Sequence, residues 1–194
     1  MRIGIDVDDV CANFQKRFIA HLHEMYGRPP LDTSPIDWDW SNCQVTKEET
    51  AAAWKKSEGI TNFWFKIEPL PSFDYETIML LRELIYRHDV FFVTNRYETP
   101  GPSPMKQTKH WFYVNAQIHS PNVLISKDKG PMAAVLQLDA FIDDRPKNCL
   151  DVLAARSDAR VYLCDSSHNK HFNDPRIPRV KDLKEFLKII LEAN

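Results

Sequence analysis

Short apolar runs and amphipathic segments alternate along most of the chain. Five runs are typical of buried strands, and they cover residues 3–7, 90–93, 123–125, 140–142 and 161–164. Apolar positions at the three- and four-residue spacing of helices occur at 11–26, from 74 to 88, from 103, from 131 and over 183–190. Strands that alternate with helices in this way predict an α/β fold. We expect a Rossmann-like parallel sheet with helices on both faces.

One stretch interrupts this alternation. Residues 28–45 are irregular and rich in proline, aspartate and tryptophan. Thr46 and Glu49 then have the spacing of a capping box, which predicts the start of a further helix. We therefore expect a small, mostly helical cap inserted after the first strand. The predicted division is a catalytic core of residues 1–13 and 76–194 and a cap of residues 14–75 that selects the substrate.

Composition and charge exclude several classes of protein. The chain has 194 residues and a formal net charge of −2, so we expect one domain with a sizeable core and no nucleic-acid polymer as a partner. No apolar stretch is long enough to span a membrane, and the start of the chain lacks the layout of a signal peptide. The cysteines lie far apart without a C-x-x-C pair, at Cys11, Cys43, Cys149 and Cys164. We expect a soluble cytoplasmic protein with no membrane partner.

Groups suited to phosphate chemistry end four of the predicted strands. They are Asp6 with Asp8, Thr94, Lys127 or Lys129, and Asp143 with Asp144. The carboxyl ends of parallel strands share one edge, so these groups can converge on one crevice. In such a crevice one carboxylate can attack phosphorus and a second can transfer protons. A hydroxyl and a lysine can hold phosphoryl oxygens, and further carboxylates can bind Mg²⁺.

Each of these groups also has an ordinary structural explanation when it is taken alone. The first carboxylates could form an acidic turn, Thr94 could be a strand-end hydroxyl, and the lysines could be solvated loop charges. Asp143 and Asp144 could cap a helix. Their shared position, each at the end of an apolar strand, favours a metal-assisted phosphoryl-transfer site.

The four strand-end motifs resemble those of the haloacid dehalogenase superfamily of phosphohydrolases. The matching segments are Asp6–Val10, Thr94–Arg96, the region of Lys129, and Ile142–Arg145. Further segments resemble the 5′(3′)-deoxyribonucleotidase family, namely Phe63–Phe65, Glu68–Pro71, Lys127–Lys129, Phe141–Pro146 and, more weakly, Ser167–His171. The resemblance implies a core like that of the superfamily, with the predicted cap inserted into it.

The resemblance also implies a role for each strand-end residue. Asp6 would be the nucleophile and Asp8 the general acid and base. The implied Mg²⁺ ligands are Asp6, the backbone carbonyl of Asp8, and Asp144 with Asp143 behind it. The implied phosphate ligands are Thr94, Asn95 and Lys129, where Lys129 is preferred to Lys127 because it follows Asp128, as in the family.

Two of the matching segments depart from the family pattern. Asp9 stands where the family more often has glycine, and the sequence assigns no role to it. Asn95 and Arg96 follow Thr94 where the deoxyribonucleotidases commonly have Ser-Pro. Contacts to the phosphate or the nucleobase at this strand end are therefore expected to differ from those of the family.

The cap is rich in aromatic residues that could stack on a nucleobase. They are Trp38, Trp40, Trp54, Phe63, Trp64 and Phe65, and we expect most of them to form the core of the cap itself. By resemblance, Phe14 and the segment 63–65 are the aromatic residues expected to contact substrate. Arg96 and Arg145 complete the predicted substrate pocket.

The function implied by the resemblance is that of a Mg²⁺-dependent 5′-nucleotidase. It would dephosphorylate deoxyribonucleoside monophosphates through an aspartyl-phosphate at Asp6. One alternative is a phosphatase of the same superfamily that acts on another small metabolite or on a nucleic-acid phosphate end. Another is a catalytically silent binding protein, against which the complete motif set argues. The expected partner is a nucleoside monophosphate, and a homodimer is left open.

Overall fold

The computed structural model describes residues 1–28, 40 and 43–193. Within these residues six strands form one parallel sheet, in the order β3-β2-β1-β4-β5-β6. The strands are β1 (Arg2–Ile5), β2 (Asp89–Thr94), β3 (Asn122–Ile125), β4 (Ala140–Asp143), β5 (Arg160–Cys164) and β6 (Arg179–Val180). The predicted parallel α/β sheet is confirmed. The order changes direction at β1, and this is the position at which such sheets form a crevice.

Helices connect the strands and cover both faces of the sheet. They are α1 (Phe14–Tyr26), α2 (Lys47–Ser57), α3 (Tyr75–Arg87), α4 (Pro104–Ala116), α5 (Lys129–Leu136), α6 (Pro146–Ala155) and α7 (Leu183–Glu192). Successive strand residues point to opposite faces, so Ile142 and Tyr162 join one apolar cluster while Phe141 and Val161 join another. Helices α3, α4 and α7 contribute to the first cluster and α5 and α6 to the second.

Helix α1 starts three residues later than the apolar spacing predicts. The residues before it form a tight turn, in which the amides of Cys11 and Ala12 both donate to the carbonyl of Val7 at 2.9 and 2.8 Å. Asn13 is the N-cap and accepts from the amide of Lys16 at 3.1 Å. This turn satisfies backbone groups that a helix would otherwise use, so the helical spacing at Cys11 is overridden.

Other predicted boundaries are either confirmed or shifted by local contacts. The capping box of Thr46 and Glu49 is present at the start of α2. Helix α5 begins at Lys129, two residues before the predicted start at Pro131. Strand β6 was not predicted, because a strand of two residues has no measurable periodicity; it pairs with β5 through Leu163 and Cys164.

The structure bears on some of the expectations about the cap, the cysteines and membrane-spanning segments and leaves others open. Trp38 lies outside the described residues, and the division into a core and a cap at residues 14–75 stays a prediction. All four cysteines are buried, where a thiol packs as a small apolar group. None of the described helices is long and apolar enough to cross a membrane.

Gly4 allows β1 to pack closely against the neighbouring side chains, and a larger residue at this position should destabilise the fold. A Cβ at position 4 would lie 2.6 Å from Leu138 Cδ1 and 2.7 Å from Phe141 Cδ2. We expect Gly4→Ala to lower the free energy of unfolding by about 1–3 kcal/mol through overpacking, as measured by urea denaturation. Gly59→Ala is the control, because its Cβ would meet a single atom, Lys56 O, at 3.4 Å. Equal effects of the two substitutions would contradict the prediction.

Candidate active site

The predicted site residues of three adjacent strands meet at one edge of the sheet. Asp6 follows β1, Thr94 ends β2 and Asp143 ends β4, and β1 lies between the other two strands. The amide of Asp6 continues the ladder by donating to Ile142 O at 3.0 Å. All three side chains are buried, so their polar atoms must find partners within the protein.

Lys129 supplies a positive charge to this edge. Its Nζ lies 2.5 Å from Asp6 Oδ1 and 2.6 Å from Asp143 Oδ2, and its side chain is 3% exposed. Lys127 is exposed, so of the two lysines that the strand-end pattern left open, Lys129 is the one placed at the carboxylates. Burial alone would lower the pKa of Lys129, but the charges of Asp143 and Asp6 outweigh burial and raise it above its ordinary value.

Asp143 and Asp144 have different surroundings although they are adjacent. Asp143 accepts hydrogen bonds from Lys129 Nζ, from the amide of Arg145 at 2.8 Å and from Asn148 Nδ2 at 3.0 and 3.1 Å. Asp144 Oδ2 is buried and accepts no hydrogen bond of regular geometry from the described residues, although His168 Nε2 lies 3.0 Å away. Asp143 therefore orients Lys129, while Asp144 retains an oxygen that can bind a cation.

Carboxylate oxygens of Asp6, Asp143 and Asp144 lie within 4.8 Å of one another. Burial raises the pKa of Asp6 well above its ordinary value; Lys129 opposes this effect, and the neighbouring carboxylates add to it. A hard divalent cation bound by oxygen atoms would relieve this repulsion. The donor set and the unsatisfied Asp144 Oδ2 fit Mg²⁺. Because the oxygens of Asp143 are already hydrogen-bonded, Asp6 and Asp144 are the better ligands.

The side chain of Asp8 lies outside this acidic group, on the side of β2. Its Oδ2 accepts from Thr94 Oγ1 at 2.9 Å and from Arg96 Nε at 3.1 Å, and its Oδ1 accepts from Arg96 Nη2 at 2.6 Å. Asp6 and Asp8 are thus two residues apart but contact different cations. The arrangement suits two carboxylates with separate tasks.

Asp9 connects the acidic turn to helix α1. It has a left-handed conformation with φ of 59°, and its Oδ1 accepts from the amide of Gln15 at 3.0 Å. Aspartate tolerates this conformation better than most residues, and a carboxylate is favourable at a helix N-terminus. The carboxylate for which the sequence assigned no role therefore caps the first turn of α1.

Most of the predicted aromatic pocket residues are packed inside the protein. Phe14, Phe63 and Trp64 are at most 6% exposed, and the ring of Phe14 lies 5.5 Å from Trp54 and 6.0 Å from Trp64. Phe65 is partly exposed and lies against His110. Trp54 is partly exposed as well. Most of these rings thus pack among themselves, and contact of Phe14 and residues 63–65 with substrate stays a prediction.

The polar pocket residues differ in exposure. Asn95 is exposed at the end of β2, and Arg145 is partly buried beside Asp144. Arg96 is buried with its guanidinium bound to Asp8, so it does not line an open pocket. Tyr97 was not predicted; it is partly exposed, and its ring centroid lies 4.7 Å from that of Trp64. Its position directly after the strand-end motif was the available signal.

The loop after β5 holds Asp144 from the other side. Asn169 Nδ2 donates to the carbonyls of Asp144 and Cys164, both at 2.7 Å. His168 Nδ1 lies 2.7 Å from Gln15 Nε2, so this loop also contacts α1. The motif at Ser167–His171 was noted by resemblance, but its contact with Asp144 was not predicted.

Comparison with known proteins finds similarity to nucleotidases. The family described as "5′ nucleotidase, deoxy (Pyrimidine), cytosolic type C protein" matches residues 1–194. A Bacillus cereus protein that is named provisionally as a nucleotidase is 24% identical over 201 residues, which cover 97% of this chain and 98% of that protein.

Two solved structures share the fold over the whole chain. A haloacid dehalogenase-like hydrolase from Streptococcus pneumoniae has a TM-score of 0.61 and 14% identity, and the match covers 100% of this chain and 98% of that one. D,D-heptose 1,7-bisphosphate phosphatase from B. bronchiseptica, complexed with magnesium and phosphate, has a TM-score of 0.57 and 10% identity, with 100% and 99% covered. At this identity the two structures show the fold alone.

The environment of Asp9 predicts a pH-dependent difference in stability. Burial, with Asp144 as the next contribution, raises the pKa of Asp9 well above 3.8, so the stability it confers at low pH is lost as the pH rises through the raised value. Asp9→Asn keeps the hydrogen-bond acceptor and removes this loss. In the presence of a chelator, we expect its stability relative to the wild type to increase from about pH 5 to about pH 8, as measured by urea denaturation.

Two features make this comparison specific. The pKa values of His21 and His88 are lowered by burial, so their contribution to stability rises with pH, opposite to that of Asp9. This contribution is the same in both proteins and cancels in the comparison. Asp158→Asn is the control, because Asp158 has a side chain that is 73% exposed. If the difference in unfolding free energy between Asp9→Asn and the wild type did not change with pH, ionisation of Asp9 would not be what lowers stability.

The arrangement of Asp144 predicts a cation-binding contribution. We expect Asp144→Asn to weaken Mg²⁺ binding by about tenfold or more, because it removes a charged oxygen ligand; calorimetric titration would measure this. Mg²⁺ should also raise the melting temperature of the wild type more than that of the variant. Asp158→Asn should bind Mg²⁺ like the wild type, and equal affinities in all three proteins would exclude Asp144 as a ligand.

Proposed function

The chain belongs to the 5′ nucleotidase, deoxy (pyrimidine), cytosolic type C family, and on this premise we propose that it is a Mg²⁺-dependent hydrolase of deoxyribonucleoside monophosphates. As a member of this family it is a phosphoric monoester hydrolase with a small phosphorylated substrate. The observation that carries the proposal is the pair of carboxylates at the end of β1. Asp6 is paired with Lys129, while Asp8 lies two residues on with hydrogen-bond partners of its own.

In the first step Asp6 acts as the nucleophile. An Asp6 carboxylate oxygen forms a bond to phosphorus, and the bond from phosphorus to the nucleoside oxygen breaks with its electron pair on that oxygen. Asp8, in its protonated form, gives a proton to the leaving oxygen, so the nucleoside departs as an alcohol. Lys129 next to Asp6 reduces the repulsion between the nucleophile and the phosphate oxygens.

In the second step water releases phosphate. Asp8 takes a proton from the water as its oxygen bonds to phosphorus, and the bond between phosphorus and Asp6 breaks, which regenerates both carboxyl groups for the next cycle. We assign the Thr94 hydroxyl, Asn95 and Lys129 to the phosphoryl oxygens. Bound Mg²⁺ would be held by Asp6, Asp144 and the carbonyl of Asp8, and would supply neutralisation of phosphate charge.

Recognition of the nucleoside is assigned to the side chains next to Thr94 and in the predicted cap. The partly exposed rings of Trp54, Phe65 and Tyr97 offer faces for a base, and stacking on them would keep water from the phosphate. The buried Phe14, Phe63 and Trp64 would support them. The cap at residues 14–75, homodimerisation and a cytoplasmic location, the last in line with the family description, remain predictions.

Phosphate release from a panel of substrates tests the proposal. We expect release from deoxyribonucleoside 5′-monophosphates with Mg²⁺, and loss of release in chelator. Asp6→Asn should lower kcat by about 10⁴-fold or more, because an amide does not replace the nucleophile, while Asp158→Asn should leave kcat unchanged. Mass spectrometry of the quenched reaction should detect phosphate on Asp6 in the wild type.

Two outcomes would overturn the proposal in different ways. Release of phosphate from sugar phosphates or 3′-phosphorylated oligonucleotides, but from no mononucleotide, would be consistent with phosphatase activity and would exclude nucleotidase activity. Turnover of mononucleotides by Asp6→Asn at the wild-type rate would reject the covalent mechanism.

A further inference from the structure

Arg96 uses all three of its guanidinium nitrogens within the protein. Nε and Nη2 donate to the two oxygens of Asp8 at 3.1 and 2.6 Å, and Nη1 donates to Thr108 Oγ1 at 2.8 Å. The side chain of Arg96 has no exposed surface. Each guanidinium nitrogen of Arg96 is thus engaged within the protein and buried, so the side chain is poorly suited to bind a substrate phosphate directly.

Two neighbours hold the guanidinium in place. Thr108 Oγ1 donates its own hydrogen to Pro104 O at 2.7 Å, which leaves its oxygen to accept from Arg96. The ring of Trp64 lies 5.1 Å from Arg96 Cζ and covers one face of the guanidinium. Trp64 is fixed in turn, because its Nε1 donates to Tyr97 O at 2.8 Å. Helix α4 and the aromatic segment thus immobilise Arg96 before substrate arrives.

A planar fork that contacts both oxygens of a carboxylate determines the orientation of that carboxylate. Thr94 Oγ1 also contacts Asp8, but its hydroxyl can turn to a phosphate oxygen, whereas the Arg96 fork has no second acceptor within the hydrogen bonds described above. The orientation of Asp8 during a reaction is therefore set by Arg96. Proton transfer to a leaving oxygen depends steeply on such orientation.

We propose that Arg96, anchored by Thr108, is a positioning residue that orients Asp8 for proton transfer to the leaving group. This inference rests on the proposed function and adds to it the means by which the general acid is aligned. Arg96 occupies the position at which the resemblance led us to expect proline. The contact between Arg96 and Asp8 is therefore a feature of the strand end in this chain.

Substitutions at Arg96 and Thr108, assayed with two leaving groups, test the inference. Arg96→Lys keeps the charge but loses the two-pronged contact, and Thr108→Val removes the anchor alone. With a deoxyribonucleoside monophosphate, whose alcohol needs a proton to leave, we expect Arg96→Lys to lower kcat by about tenfold or more with little change in KM. With p-nitrophenyl phosphate, whose phenolate leaves without protonation, the single-turnover rate of phenolate release, which reports the first step alone, should change by less than about threefold.

A double-mutant cycle with Asp8→Asn isolates the route of the effect. If Arg96 acts through Asp8, Arg96→Lys should cause no further loss of kcat in the Asp8→Asn background. Thr108→Val should show the same dependence on the leaving group at smaller size, and it carries the test if Arg96→Lys does not fold by circular dichroism. Arg87→Lys is the matched control, because Arg87 is exposed and pairs with Glu83.

The outcomes distinguish this inference from the proposed function. Equal losses in the single-turnover rate of leaving-group release with both substrates, a rise in KM alone, or additive losses in the double mutant would overturn the positioning role of Arg96. A wild-type protein that hydrolyses no mononucleotide would instead overturn the proposed function. Wild-type activity with a selective, non-additive loss in Arg96→Lys would support both.

Discussion

The site depends on the bridge that Lys129 forms between Asp6 and Asp143. Parallel strands bring their carboxyl ends to one edge, and here that edge gathers several buried carboxylates. A buried carboxylate without a counter-charge is strongly unfavourable, and two neighbours of the same charge increase the cost. Lys129 contacts both Asp6 and Asp143, so one cation stabilises the ends of two adjacent strands. The geometry of the remaining site follows from this pairing.

A second cation, Arg96, gives Asp8 surroundings that differ from those of Asp6, although both residues follow β1 closely. Asp8 is bound by Arg96, which follows β2, whereas Asp6 is bound by Lys129 at the start of α5. Although Asp6 and Asp8 are only two residues apart, their different partners give them different environments. Because the partners are separate, Lys129 holds Asp6 beside Asp144, while Arg96 and Thr94 hold Asp8.

The sequence predicted much of the fold and failed where non-local contacts decide. Each strand from β1 to β5 contains an apolar run, so the local sequence pattern identifies it. Strand β6 consists of two residues, and its pairing with Leu163 arises from the path of the chain, which no local pattern encodes. The helical spacing at Cys11 was misleading, because Asp9 and Val7 form a turn that uses the same backbone amides.

By itself, the sequence determined which chemical groups end the strands, because periodicity locates strand ends and parallel strands share an edge. It also indicated Asp6 and Asp8 as candidates for phosphoryl transfer. The tertiary structure decided which groups are paired. Lys129 rather than Lys127 reaches Asp6, and Arg96 binds Asp8 rather than an open pocket. Asp9 caps α1. These choices depend on side-chain directions at contacts between residues distant in sequence, and spacing along the chain carries no information about them.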